Sequence, residues 1–487
     1  MKVLDYLVER NQTHHDKTFV ADLYRSVTYG EFYQLVLKKA SGLNQIGVKP
    51  EDRVLLVLEH GIDHLMSYFA CMHLGAIPVH LNTSKPKKSI IQAAEITTAK
   101  YCLVDGYSED MSDVPFQLLA FNNVSDEIKE GIEGECDIAY MMFTSGTTGV
   151  PKAVMTSHSN TIATASSILD FAKMTDKDRE LISLPLSFTF GLGHIHALIM
   201  VGGEAYLTNR RYEVGFLASE IKKQQATGFL ASPGMLKDMV ANHREAVIDA
   251  GSSLKYLVVN CTPMHPSLTS ELLELLPQTQ LYMYYGSTEA SRCAFIHYNR
   301  NRHRLDFTGK HTLNVELKID APDENGVGEI CMRGPNVMPG YWNNPEATKK
   351  AIDEDNWIHS GDFGIMDEDG YVKVIGRMND EISVDGMKCQ PVEVETIVLQ
   401  LDFVKEATVC AIPDAEKYQV VGVAVVLDQT VPAQFKQVIR THCSRLLEPF
   451  KVPVIIEEMD KIPANELGKI NRKELIKMLT PETESHE

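Results

Sequence analysis

The chain has 487 residues, of which 47 are Lys or Arg and 66 are Asp or Glu, so its formal net charge is −19. This acidic balance argues against nucleic-acid binding as the main activity, because that activity depends on clustered Lys and Arg. Hydrophobic residues make up 44% and charged residues 23%, which predicts a large packed core and little disorder. At roughly 150 residues per domain, the length corresponds to about three structural units.

Targeting and membrane signals are weak in this sequence. Apolar runs such as 54–58 and 197–201 are far shorter than the roughly 18 residues of a membrane-spanning helix. Asp5 and Glu9 interrupt the N-terminal segment where a signal peptide needs an apolar stretch. Nine cysteines, an odd number without a Cys-x-x-Cys pair, favour reduced thiols over a disulfide framework. We therefore predict a soluble cytoplasmic protein that does not span a membrane.

Strand-like runs alternate with helix-length segments through the first 290 residues. The first series of predicted strands covers 53–58, 77–81 and 101–104, with helices near 62–74 and 86–98. The second series of predicted strands covers 181–184, 205–208, 228–231, 254–260 and 280–285. Such alternation predicts an α/β fold with parallel sheets and helices on both faces, because parallel strands are joined by crossover connections.

The pattern changes after residue 315. Short strands predicted at 315–319, 329–333 and 371–375 are separated by Gly, Pro and Asp turns. Few helical stretches lie between them. This region therefore predicts a small antiparallel or barrel-like subdomain.

The C-terminal part of the chain reads as a small α+β unit. After a hairpin, helices are predicted near 391–401 and 433–446, and strands at 407–412 and 420–427. A charged stretch at 376–381 marks the boundary. We expect an N-terminal domain over 1–376, a hinge over 377–381 and a C-terminal domain over 382–487.

A loop of small residues follows an apolar strand that ends near residue 144. The loop and its closing lysine comprise Thr144, Ser145, Gly146, Thr147, Thr148, Gly149 and Lys152. Glycines let backbone N–H groups surround phosphate oxygens, hydroxyls add donors, and a lysine supplies positive charge. The spacing is not that of a Walker A loop, since the two glycines lie too close together. The residues predict a phosphate-binding loop.

This loop resembles the signature loop of the adenylate-forming superfamily, which includes acyl-CoA synthetases, luciferase-like enzymes and peptide-synthetase adenylation domains. Further segments resemble the motifs of that family and occur in the same order. They are 285–289 (YGSTE), 328–334 with 340–341 and 345–348, 357–362 (WIHSGD), 376–377, and Pro463 with Gly468, Lys469 and Arg472. Because they cover nearly the whole chain, the sequence is identified as a member of the AMP-dependent carboxylic acid ligases.

The resemblance implies a large N-terminal domain of two parallel-type α/β subdomains plus a small barrel-like one, followed by a small, mobile α+β domain. It implies activation of a carboxylic acid by ATP and Mg²⁺ to an acyl-adenylate, with release of pyrophosphate, and then transfer to coenzyme A. Two alternatives remain open. In the first alternative, the acyl acceptor is the phosphopantetheine of a separate acyl or peptidyl carrier protein. In the second, the chain binds a nucleotide without catalysis. The sequence also leaves a homodimer open.

The motif at 285–289 supplies the next set of expected nucleotide contacts. Glu289 is a carboxylate next to a hydroxyl residue, and it is suited to bind Mg²⁺ and hold it against the phosphates. The resemblance implies that Thr288 contacts the α-phosphate and that Tyr285, followed by Gly286, stacks against adenine. Outside such a motif, a lone Tyr is more often a core residue.

The expected nucleotide site is completed by three more residues, which lie later in the sequence. Asp362 is expected to accept hydrogen bonds from the ribose hydroxyls, and Arg377 to lie at the ribose and phosphate. Lys469 follows a glycine and is expected to bridge the incoming carboxylate and the α-phosphate, stabilising charge that develops in the transition state. The resemblance implies that Lys469 acts only in the adenylation step.

The thiol-transfer step is expected to use other residues. In the family the C-terminal domain rotates about a hinge position, which aligns with Asn379 in this sequence. Gly386 aligns with the glycine that borders the pantetheine tunnel. Ser383 stands where many members carry Lys, so one contact of the thioester-forming state differs here.

The expected acyl pocket includes Phe188, Thr189, Asn260, Cys261 and Met264. Thr189 stands where amino-acid-activating members carry an Asp, so an α-amino acid is disfavoured. Asn260 and Cys261 replace a Gly-Gly pair found in many acyl-CoA synthetases. Larger side chains narrow the pocket and favour a compact or aromatic acid. Asn260 could equally bond a polar group of the substrate or cap a turn after its strand.

Overall fold

The computed structural model describes residues 1–480 apart from 108, 121–124, 126, 145–150, 211–212, 261–263, 385–386, 415–417, 429–430 and 465–469. The chain divides into two units, each described by itself below. The first contains Met1–Lys318, Cys331–Ser360 and Asp367–Val372. The second contains Ile319–Ile330, Gly361–Met366 and Lys373–Glu487.

The first unit begins with an α/β region built on a mainly parallel sheet. Its elements are α1 (Val3–Thr13), β1 (Thr18–Ala21), β2 (Ser26–Thr28), α2 (Tyr29–Ile46), β3 (Arg53–Val57), α3 (Ile62–His73), β4 (Ile77–Leu81), α4 (Lys87–Thr97), β5 (Tyr101–Val104), β6 (Gln117–Ala120), β7 (Ile138–Thr144) and β8 (Lys152–Ser157). The strand order is β6-β5-β3-β4-β7-β8, parallel throughout except for the antiparallel β7–β8 hairpin. Strand β4 is buried along its whole length, as expected for a parallel strand covered on both faces.

A second mainly parallel sheet follows in the same unit. Its further elements are α5 (His158–Ala172), β9 (Arg179–Ile182), α6 (Thr189–Val201), β10 (Glu204–Leu207), α7 (Val214–Lys223), β11 (Gly228–Ala231), α8 (Pro233–Asn242), α9 (Arg244–Ala250), β12 (Tyr256–Val259), α10 (Pro266–Leu275), β13 (Gln280–Tyr285), β14 (Ala294–His297) and β15 (Gly309–His311). Strands β13, β12, β11, β9, β10 and β1 are parallel neighbours in that order. Strands β14 and β2 add antiparallel partners at the two ends of this series.

Strands with a single helix among them make up the described part of the next region, and the division between the two units passes through it. Its elements are β16 (Glu316–Asp320), β17 (Gly328–Arg333), α11 (Pro345–Ala351), β18 (Ile358–Met366) and β19 (Tyr371–Arg377). Within the first unit, β15 pairs antiparallel with the start of β19 through Gly309 and Val372.

The C-terminal part of the second unit is a small α+β assembly. Its elements are β20 (Ile382–Val384), β21 (Met387–Cys389), α12 (Pro391–Val398), β22 (Val404–Asp414), β23 (Tyr418–Leu427), α13 (Phe435–Leu446), β24 (Ile455–Glu458) and α14 (Arg472–Leu479). Strands β22 and β23 are antiparallel, and β24 joins β23 in parallel. Valines and isoleucines from β22, β23, α13 and β24 form its apolar core, including Val409, Val423, Ile439 and Ile456.

The predicted α/β class, with a large N-terminal part and a small C-terminal part, is confirmed. The alternation of strands and helices also placed most strands of the two sheets within two residues of their observed ends. The strand predicted at 181–184 lies at Arg179–Ile182, because its polar first residues still pair in the sheet. The barrel-like shape, the mobility of the C-terminal domain and the domain boundaries stay predictions. Every helix among the described residues is too short or too polar to cross a membrane.

Truncating a central strand of the second sheet should destabilise the first unit. Leu257 in β12 is 1% exposed, whereas Ile248 in α9 is 48% exposed and serves as a matched control. We expect Leu257→Ala to lower the free energy of unfolding by about 2–5 kcal/mol, because it removes buried methyl groups and leaves a cavity. Ile248→Ala should change it by less than about 1 kcal/mol. Denaturant unfolding followed by fluorescence measures both, and equal effects would contradict the packing described here.

Candidate active site

The β7–β8 hairpin carries the two described ends of the predicted phosphate loop. Thr144 ends β7 and pairs directly with Lys152, the first residue of β8. The antiparallel register therefore brings the hydroxyl residue and the lysine of the motif side by side. The predicted ligands between them, Ser145, Gly146, Thr147, Thr148 and Gly149, lie outside the described residues.

A tight turn follows β13 and presents Thr288 and Glu289. The Ser287 N–H donates to the Ala290 carbonyl (2.9 Å), which closes the turn. A Cβ atom on Gly286 would approach the Ala290 carbonyl oxygen to 2.7 Å, so only glycine fits without displacing the backbone. Because parallel strands of this sheet end on the same edge, the turn lies where α/β folds bind ligands.

Residues 335–342 form a connecting segment between this turn and the β7–β8 hairpin. At one end, the Met338 N–H donates to the Glu289 carbonyl (2.8 Å). At the other, the Trp342 N–H donates to the Ala153 carbonyl in β8 (2.8 Å). Backbone hydrogen bonds therefore tie the connecting segment to both elements that carry predicted phosphate and metal contacts.

The side chain of Tyr341 lies between Glu289 and Lys152. Its hydroxyl donates to Oε1 of Glu289 at 2.9 Å. The Lys152 ammonium lies 4.8 Å from the centroid of the Tyr341 ring, a cation–π distance. Burial and the neighbouring Glu289 carboxylate raise the pKa of Tyr341, so the phenol stays protonated and acts as a donor. A carboxylate, a phenol and an ammonium thus form one described cluster.

A small polar recess lies against this cluster. It is lined by Tyr140, Thr156, Asn160, Thr164, Thr189, Thr288, Glu289, Ser291, Asn336 and Met338. Asn336 is 5% exposed, and its Oδ1 has no hydrogen-bond partner among the residues that the structure describes. Hard cations prefer carboxylate and hydroxyl oxygens, so the donors Glu289 and Thr288 fit Mg²⁺.

Arg292 is a buried cation that sequence reasoning missed. Its guanidinium donates to the carbonyls of Thr189 and Phe190, at 2.7 Å each, and lies 4.6 Å from the ring centroid of Tyr284. The side chain is fully buried. An arginine between Ser291 and the apolar run 293–296 is the signal that could have drawn attention to it, because a charge there must have polar partners inside the fold.

The predicted acyl-pocket residues have different surroundings. Phe188 precedes α6 and is half-buried, and Thr189 begins α6 and lines the polar recess. Asn260 follows β12 and is half-buried. Met264 is buried in the apolar core of the second sheet. Cys261 lies outside the described residues, and the acyl-pocket assignments stay predictions.

Tyr285 ends β13 in the first unit and is half-buried. The other described residues predicted to contact the nucleotide, Asp362 and Arg377, belong to the second unit. Arg377 Nε lies 2.6 Å from Oδ1 of Asp362, a carboxylate that is almost fully buried. Gly361 has a φ of +69°, and its N–H donates to Glu329 (2.9 Å), so the glycine of this motif provides a left-handed turn. Asn379 lies in a 3₁₀ turn at Met378–Asp380, with its side chain outside the description. Gly386 and the predicted catalytic Lys469 also lie outside the described residues.

Two family models match the chain. The model described as AMP-binding enzyme matches residues 7–342, and the model of the AMP-binding enzyme C-terminal domain matches residues 393–469. The first match includes the phosphate loop and the motif at 285–289, and the second includes Gly468 and Lys469.

Curated relatives and solved structures are similar over almost the full length. The chain is 27% identical to 4-coumarate-CoA ligase 1 of Narcissus pseudonarcissus, covering 94% of this chain and 90% of that protein. It is 28% identical to feruloyl-CoA synthase of Amycolatopsis sp, covering 92% and 93%. Among structures, o-succinylbenzoate CoA synthetase from Bacillus subtilis, in complex with its acyl-adenylate intermediate, has a TM-score of 0.87 at 26% identity, covering 96% and 97%.

The turn at Gly286 gives a direct test of this site. We expect Gly286→Ala to weaken ATP binding in the presence of Mg²⁺ at least about fivefold, because a strain of roughly 1 kcal/mol must displace Thr288 and Glu289. Gly234→Ala is a matched control, since a Cβ there meets no atom within 4 Å. Isothermal titration calorimetry measures both. Equal affinities for the two variants would show that the turn does not position nucleotide contacts.

Proposed function

The chain belongs to the AMP-binding enzyme family, and we infer from this premise that it is an ATP-dependent acid–thiol ligase. It activates a carboxylic acid to an acyl-adenylate, with release of pyrophosphate, and transfers the acyl group to coenzyme A. The observation that carries this function is the described cluster, in which Tyr341 joins Glu289 of one motif to Lys152 of another. The presence of both Lys469 and Glu289 argues against a nucleotide-binding protein without catalysis.

The first step brings two anions together. A carboxylate oxygen of the acid attacks the α-phosphorus of ATP, and the bond to pyrophosphate breaks. In a protein of net charge −19, local positive charge must cancel the repulsion between carboxylate and phosphates. We assign this task to Lys152 and Lys469, with Mg²⁺, when bound to Glu289, neutralising phosphate charge.

The nucleotide itself is proposed to contact five further residues. Thr288 contacts the α-phosphate, and Tyr285 with Gly286 flanks adenine. Asp362 accepts hydrogen bonds from the ribose hydroxyls, and Arg377 lies at the ribose and phosphate. The ion pair between Arg377 and Asp362 supports this assignment, because it holds the carboxylate in one orientation.

We propose that the acid is compact and aromatic. Phe190 and Tyr284 are buried next to Thr189, with ring centroids 5.2 Å apart in an edge-to-face contact. The Arg292 guanidinium contacts the Phe190 carbonyl and the Tyr284 ring, and we propose that these packed groups limit the length of the pocket and disfavour a long acyl chain. The relatives named for 4-coumarate and feruloyl groups, both aromatic, point the same way.

Coenzyme A is proposed as the acceptor in place of a carrier protein, because the relatives are named as CoA ligases and synthases. The thiol-transfer state is proposed to use the hinge at Asn379 and a tunnel beside Gly386. A cytoplasmic location is supported by eight cysteines that are free thiols among the described residues.

A panel of acids tests substrate choice. We expect ATP–pyrophosphate exchange to be at least about tenfold faster with cinnamic-type or benzoic-type acids than with hexadecanoic acid, because the proposed short pocket would exclude a long chain. Adding coenzyme A should release AMP and form the thioester. Exchange without thioester formation, followed by loading of a carrier protein, would identify the other acceptor. Exchange absent with every acid would overturn the ligase assignment.

Removing the proposed catalytic lysine separates the two half-reactions. We expect Lys469→Ala to slow acyl-adenylate formation by about 100- to 1,000-fold, the size typical of losing one electrostatic contact in a transition state. Thioester formation from a supplied acyl-adenylate should change by less than about threefold. Lys473→Ala, at an exposed position in α14, is the matched control. Equal losses in both half-reactions would contradict a role confined to adenylation.

A further inference from the structure

Tyr341 contacts both charged groups of the described cluster, although it belongs to neither the phosphate loop nor the metal-binding turn. Its hydroxyl lies 2.9 Å from Oε1 of Glu289, and its ring centroid lies 4.8 Å from the Lys152 ammonium. Only 7% of the residue is exposed. We propose that Tyr341 is a positioning residue that orients the Glu289 carboxylate toward the metal and holds Lys152 beside it. This inference rests on the proposed function.

The hydroxyl acts on the carboxylate through a single oxygen. A carboxylate can rotate about its last bond, and its two oxygens are equivalent in free solution. A hydrogen bond from a fixed, protonated phenol to Oε1 breaks this equivalence and directs Oε2 to a defined place. Such preorganisation matters for Mg²⁺, because this ion requires near-ideal octahedral geometry and binds poorly to a ligand oxygen whose position is not fixed.

The ring of Tyr341 acts on Lys152 by a different force. An ammonium over an aromatic face is attracted by the ring quadrupole, worth about 0.5–1 kcal/mol at exposed sites and more when water is excluded. This attraction keeps the flexible lysine near the metal-binding carboxylate. No direct ion pair with that carboxylate is needed, so the lysine charge is not neutralised. The lysine charge therefore remains available to phosphate oxygens.

The backbone around Tyr341 is fixed on both sides. Val154 and Tyr341 form an antiparallel bridge, and so do Ala290 and Val337. The Met155 N–H also donates to the Gly340 carbonyl (3.1 Å). The connecting segment thus pairs with β8 at one end and with the turn after β13 at the other, so the phenol has little freedom to move relative to either charged group.

Two substitutions separate the contributions of the hydroxyl and the ring. Tyr341→Phe removes only the donor to Glu289 and keeps the face that Lys152 contacts. Tyr341→Leu removes both. Tyr298→Phe is the matched control, because Tyr298 is also buried and its hydroxyl donates to a carbonyl, that of Phe307 (2.9 Å), away from the cluster.

The readouts are the Mg²⁺ concentration that gives half-maximal ATP–pyrophosphate exchange and the KM for ATP at saturating Mg²⁺. For Tyr341→Phe we expect the Mg²⁺ requirement to rise about tenfold, as for losing one hydrogen bond to a charged group, with the KM for ATP within about twofold. Tyr341→Leu should raise the KM for ATP as well, by about threefold or more. Tyr298→Phe should leave both values within about twofold of the unsubstituted chain.

A second measurement keeps the result independent of turnover. Mn²⁺ replaces Mg²⁺, and its binding to the protein in the presence of ATP is followed by electron paramagnetic resonance. Weaker Mn²⁺ binding in Tyr341→Phe than in Tyr298→Phe supports the positioning role even if no tested acid is activated. Equal Mn²⁺ binding in these two variants, or no Mn²⁺ binding by the unsubstituted chain, would overturn it.

Discussion

The hydrogen bond from Tyr341 to Glu289 joins residues that are 52 positions apart in the chain. A carboxylate near phosphates is unfavourable unless cations lie between them, and the surrounding protein carries a net charge of −19. The neutral phenol orients Glu289 and does not neutralise its negative charge. The Lys152 ammonium lies 4.8 Å from the centroid of the same ring. The proposed metal and phosphate chemistry depends on this arrangement, because both charges stay in place and neither cancels the other.

The two sheets of the first unit provide the geometry for this contact. One carries the β7–β8 hairpin with Lys152, and the other carries the turn after β13 with Glu289. Residues 335–342 connect them through main-chain hydrogen bonds, which are directional. Gly286 contributes by leaving room for the backbone to turn sharply. The site is therefore built mainly from backbone pairing, and the reactive side chains project from that frame.

Local patterns in the sequence were sufficient for the fold class and for most strands. Parallel strands buried on both faces are continuous apolar runs, and β4, β11 and β12 were predicted within two residues of their observed ends for that reason. Some short, partly exposed strands were not recognised. Strand β2, for example, has three residues, Ser26–Thr28, with a partly exposed pattern, so it carries no periodic signal. Its pairing with β1 depends on neighbours that sequence reading does not supply.

In the candidate site, too, local motifs predicted some features and only the folded structure showed others. Glu289, Thr288 and Lys152 were predicted as site residues from their motifs, since these residue types in this order have a defined chemistry toward phosphates and metal. The contacts of Glu289 and Lys152 with Tyr341 were not predicted, although residue 341 stands within one of the motifs. Arg292 was also missed. Sequence alone determined the α/β class, the family resemblance and the residues that can carry charge. Tertiary structure decided which of those charges lie close together and which neutral group contacts both. Hydrogen bonds and cation–π contacts act only over a few ångströms, and only folding brings residues that are far apart in sequence to that distance.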